Sequence, residues 1–228
     1  MRECQTSIGV ECVFNKWFGK KETESKKVLA PEIMGLRLGG AFELDPLKLR
    51  LIEPNLVVQG VAKTQLIQAV GEVKLDESTT VLRFYTDDDG FLQVLLTGGM
   101  TENHISDVKL WHFYETKGIA TNKDWENQLS NIISSPAKHF AGYDYTRVWG
   151  NSDVSSPPVA MTEKTYTEDG SVSETDQFAM LYEREVANNL HEYLMFTGEE
   201  KIILNSADRC VVTATGFDVQ SADIEIFG

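Results

Sequence analysis

From about residue 28 onward, apolar side chains recur with a period of two. Leu47, Leu49 and Leu51 alternate with Lys48 and Arg50, as a strand with one buried and one wet face requires. The stretches 56–62, 66–75 and 79–86 are rich in valine, leucine and aromatics, with glycine or polar turns between them. The run TDDDG from Thr86 to Gly90 predicts a hairpin turn with Gly90 at φ > 0, and 91–97 is its return strand. Residues 108–116 read as a further strand with a heavy aromatic load.

The period then changes. Trp125, Leu129, Ile132 and Ile133 fall on one helical face, predicting an amphipathic helix near 123–134. Thr121 or Asn122 can cap its start, and Pro136 stands where it should stop. Beyond a second Asp-Gly turn at Asp169-Gly170, strands are predicted over 178–185, 192–197, 210–215 and 223–227. Phe178, Leu181, Tyr182 and Glu185 also fit a helix, so the first of these has a helical alternative. The class is mainly β (α+β), with antiparallel sheets and that one clear helix.

An offset of 80 residues aligns Asp89-Gly90 with Asp169-Gly170, Met100 with Met180, Leu110 with Leu190 and Gly118 with Gly198. The organisation that follows is a weakly basic arm over 1–27 and a β-rich domain over 28–228. Either it is a single body, or two related lobes divided near the linker-like GNSDVSSPP of 150–158.

Charge narrows the partners. The chain carries −14; the arm contributes six basic and four acidic residues, a net +2, which leaves −16 on the rest. Such a field repels a phosphate backbone, so no nucleic-acid partner is expected. Cys4, Cys12 and Cys210 form no C-x-x-C pair and point to free thiols in a reducing compartment. Glu3 and Glu11 interrupt any apolar leader, and no run approaches the ~20 apolar residues of a membrane span. A cytoplasmic location is the expectation.

Candidate chemistry is sparse. The Asp87–Asp89 run lacks the glutamate of a calcium loop, since its twelfth position is Gly98, and reads as a solvated turn. His104, His112, His139 and His191 form no zinc motif, and no phosphate loop is present. Neither a metal nor a cofactor is therefore expected. Arg83, Arg147 and Arg184 sit beside aromatics in strand-like segments. A half-buried guanidinium needs partners, most simply internal carboxylates. Were they to converge, Arg83, Arg147, Arg184 and His112, with Trp149 as a stacking floor, would make a pocket for an anionic small molecule. In the arm, Phe14, Trp17 and Phe18 beside Lys20 and Lys21 suit peripheral contact with an anionic membrane or with a protein partner.

Several short motifs carry a family likeness. GLRLGG at 35–40, LDPL at 44–47, RFYTDD at 83–88, YTRVW at 145–149, MLYER at 180–184 and EYL at 192–194 together resemble the YjfK-like bacterial proteins, a family of unknown function. The resemblance brings no catalytic residues. Members are encoded near phage-shock-protein-A-like and small membrane proteins, which implies envelope-associated or stress-related work. Two functions are thus in play. One is a non-enzymatic interaction or accessory protein with an unidentified protein partner or a second copy of itself. The other is an enzyme or ligand-binding protein using the arginine and aromatic pocket.

Overall fold

The computed structural model describes residues 29–187, 190–204 and 206–227. Phe14, Trp17, Phe18, Lys20 and Lys21, with the rest of the arm, lie outside them. The described chain is dominated by antiparallel strands: β1 (Ala41–Leu44), β2 (Thr64–Lys74), β3 (Thr79–Thr86), β4 (Gly90–Thr97), β5 (Ile105–Gly118), β6 (Ala137–Phe140), β7 (Tyr143–Arg147), β8 (Val159–Thr167), β9 (Val172–Ala187), β10 (Leu190–Ile203), β11 (Ser206–Asp218) and β12 (Ile224–Phe227). The helices are α1 (Pro46–Ile52) and α2 (Asn122–Asn127), which runs on as a π-helical turn over Gln128–Ile133.

Successive neighbours β2-β3-β4-β5 form one meander and β8-β9-β10-β11 a second. Two seams join them: first strand to first, β2 to β8, and last to last, β5 to β11. Eight antiparallel strands therefore close on themselves, which leaves none of the eight as an unpaired edge of an open sheet. A ring of this size is just wide enough for side chains to fill. The loop over 150–158 lies between the meanders. The offset of 80 residues, however, lays the β3–β4 turn on the β8–β9 turn, one hairpin out of phase with them.

Alternation along the strands makes three apolar clusters. Phe91, Trp111, Leu181, Met195 and Ala214 come from both meanders and fill the interior with Tyr85 and Phe113. The outer face of β2–β5, including Leu82, Phe84, Leu92 and Leu110, is covered by Ile33, Leu36, Phe42 and Leu49. The outer face of β9–β11, including Met180, Tyr182 and Leu194, is covered by Ile133 and by Tyr145 of β7.

Among the described residues two helices are present where one was expected. Leu47, Leu49 and Leu51 belong to α1, not to a strand, because Asp45 accepts a hydrogen bond from the Leu47 N–H (2.8 Å) and Pro46 occupies the first turn. The 56–62 segment forms no strand. In the TDDDG turn it is Asp89 that takes the positive φ (50°). Gly90 is required for a different reason: a Cβ there would stand 2.2 Å from the Trp111 carbonyl oxygen. Residues 178–185 are strand, within β9.

Candidate functional site

The interior holds a polar cluster as well as an apolar one. Strand register turns Gly71 of β2, Arg83 and Tyr85 of β3, Glu163 of β8, Gln177 of β9 and Glu199 of β10 inward. Arg83 Nη1 donates to Glu163 Oε2 (2.7 Å) and to Gln177 Oε1 (2.8 Å), reaching across the ring to strands that do not neighbour its own. Tyr85 donates to Glu163 Oε1 (2.6 Å). Gln177 Nε2 donates to Glu163 Oε2 (2.7 Å) and to Glu199 Oε1 (3.2 Å), and the Cys210 thiol lies 3.9 Å from Glu199 Oε2. Arg83 Nε is buried without a hydrogen-bond partner.

The ionisation states follow from this crowding. Burial is the largest influence on Arg83 and opposes its charge, but Glu163, Tyr85 and Glu199 together outweigh it and the guanidinium is held more firmly protonated. Burial and then the Glu163 charge push the Tyr85 hydroxyl well up. Glu199 is pushed up to about 7, first by burial and then by Glu163, against the opposing pull of Arg83. Glu163 thus takes the guanidinium directly, while Glu199 is hydrogen-bonded to Gln177 and feels Arg83 only electrostatically.

The other candidates lie elsewhere. Arg184 pairs with the Glu192 carboxylate (2.7 Å), donates to the Asn55 carbonyl (2.7 Å) and lies over the Tyr143 ring (3.7 Å). Glu192, 1% exposed, also accepts from Tyr145 and from the Val57 N–H, so this group ties the 55–57 loop to the barrel. Arg147 has carbonyl partners instead of an expected carboxylate: Ser134 O (3.0 Å) and Val154 O, with Ser156 Oγ at 3.2 Å. It joins the end of the π-helical turn to the 150–158 loop. His112 lies 3.4 Å from Asp88, and Trp149 packs against both the interior and the β9–β11 outer cluster. Arg83 faces the interior while Arg184 alternates to the outer face of β9, so these two do not share a pocket. Asp87 and Asp88 are more than a solvated turn. They accept from the Leu66 and Ala62 N–H groups, each at 2.8 Å.

A surface feature also emerges that the strand-like reading of α1 had hidden. Leu49 is buried, whereas Leu47 and Leu51, one helical turn apart, are 68% and 76% exposed. Beside them lies a depression of about 270 Å³, lined by apolar residues that include Leu49, Leu51, Ile52 and Phe217, with Asp45, Lys48, Asp218 and Asp223 as its charged members. The sequence signal for this face was Asp45-Pro46 ahead of the leucines. The signal for the interior cluster was Glu163 on the inward phase of β8, a strand not anticipated from the sequence.

Among the described residues no helix is long and apolar enough to cross a membrane, and no group of three potential metal ligands occurs. A family model described as "Protein of unknown function (DUF2491)" matches residues 13–225. The "Uncharacterized protein YjfK" of Escherichia coli (strain K12) is 28% identical over 218 residues, covering 94% of this chain and 98% of that protein. No solved structure matches the chain at a significant level.

Proposed function

The chain belongs to the DUF2491 family of unknown function, to which the YjfK-like likeness pointed, and from that premise we propose that it is a non-enzymatic interaction protein that engages a partner through α1. One observation carries this reading: Leu47 and Leu51 stand exposed beside an apolar depression. Arg83, Arg147 and Arg184, the groups best suited to an anionic ligand, have internal partners. Fully burying a leucine contributes about 1.5–3 kcal/mol, so two at the centre of a contact supply a useful fraction of a binding free energy.

The test compares capture from lysate by the wild type and by the L47D/L51D variant, with mass spectrometry of bound proteins and small molecules. A partner retained by the wild type and lost by the variant supports the proposal. Because both side chains are exposed, the variant should melt within about 0.5 kcal/mol of wild type. An unchanged partner set, or a bound metabolite that resists the double substitution, would refute it.

A further inference from the structure

The interior polar cluster is not used by the proposed contact surface, and it sets two carboxylates against one Gln177 amide while its buried guanidinium pairs directly with only one of them. We propose that it is a proton-linked device: Glu199, separated from Glu163 only by Gln177, takes up a proton on acidification and tightens the ring where β8, β9 and β10 meet, and loses it, loosening the same strands, on alkalinisation.

The argument begins with the groups that face Glu199. From β3 come Arg83 and Tyr85, from β8 Glu163, from β9 Gln177 and from β11 Cys210. On its own strand, Lys201 interacts with it electrostatically. β2 offers Gly71, and β5 places Thr116 and Gly118 inward by register, none of them ionisable. Glu174 and Asp176 of β9 and Lys117 of β5 alternate to the other face.

The strongly paired cation among these is Arg83, and Glu163 already takes it at 2.7 Å. With Glu199 neutral, Arg83 and Glu163 balance. With Glu199 ionised, two carboxylates that both contact the Gln177 amide repel one another in a site of low polarisability, where such repulsion is strong. The strands that carry the opposed groups, β8 and β10, are the two neighbours of β9. Repulsion therefore acts across a single strand.

The direction is set by the folded state holding the proton more tightly than the unfolded chain. Glu199 titrates at about 7 when folded against an ordinary value of 4.5. Its stabilising contribution is thus full below about 4.5 and fades as pH rises through 7. This is opposite in sign to the usual ion-paired carboxylate, which favours folding at higher pH.

The experiment follows the full-length chain from pH 5.5 to 8.5 by thermal unfolding, beside Glu199→Gln, which keeps the shape of the protonated acid. Wild-type Tm should fall by several degrees between pH 6 and 8, and E199Q should remove most of that fall. Carbon-13 spectra of glutamate-labelled wild type supply an independent readout that does not rely on the variant folding. One carboxyl should titrate near neutrality and be missing from E199Q. No glutamate titrating between pH 6 and 8, or parallel Tm profiles for the two proteins, would overturn the proposal.

Discussion

Gly71 is the residue on which the interior cluster depends most directly. A Cβ at that position would lie 1.7 Å from Glu163 Oε1 and 3.1 Å from the Tyr85 ring, so a methyl group must displace the carboxylate that Arg83 and Tyr85 share. Gly71→Ala should cost about 3–5 kcal/mol in urea denaturation, the range for disrupting a buried ion pair. Gly118→Ala, whose Cβ would meet nothing within 4 Å, should change stability by about 0.5 kcal/mol or less. Equal effects of the two would mean that the Glu163 site is loose. Glu163→Ala leaves the Arg83 guanidinium buried and unpaired and should also cost about 3–5 kcal/mol. Arg147→Ala is a milder case. Its partners are carbonyls and a hydroxyl, and their loss should cost about 1–3 kcal/mol. The arginines were recognisable in the sequence as groups that must find partners. Which partner each found depended on strands more than forty residues away for Arg83, and composition carries no such information.

At the scale of elements, α1 and α2 show how local signals compete. In α1 a run of leucines at every second position suits a strand, yet the cap at Asp45 and the proline after it start a helix instead. Asp45→Ala removes that cap and should lower stability by about 1 kcal/mol, measurable as a shift in the thermal midpoint. If the midpoint does not move, α1 is held by the packing of Leu49 alone. For α2 the pattern was legible because four apolar residues at helical spacing, a threonine cap and a terminal proline agree. Thr121 caps the Asp124 N–H at 3.1 Å, and Trp125 and Ile133 are buried as that spacing requires, whereas Leu129 is only partly buried and Ile132 is exposed. The π-helical turn over Gln128–Ile133 was not legible. It shifts the hydrogen-bond register by one residue without changing the residue pattern that announces a helix.

For the whole molecule, closure is the property with the widest consequence. Each meander contributes two seam strands, and each contributes part of the interior: Phe91 and Trp111 from the first, Leu181, Met195 and Ala214 from the second. Fragments cut within 150–158 would each expose two open strand edges and half of the interior cluster. We therefore expect neither 29–150 nor 151–228 to unfold cooperatively by itself, as judged by circular dichroism and amide shift dispersion. A fragment with its own cooperative transition would favour two lobes divided near 150–158 over a single body. What the sequence determined by itself was what neighbouring residues can settle: strand periodicity, hairpin turns, the start and stop of α2, the acidic balance and the family likeness. The tertiary structure alone decided that the two meanders close into one ring, that Glu163 and Glu199 meet at Gln177, and that Leu47 and Leu51 remain uncovered. These three outcomes depend on which distant strands and faces meet. Periodicity marks a side chain as buried or exposed, but the pairing of β2 with β8 and β5 with β11 is fixed only when the whole core packs.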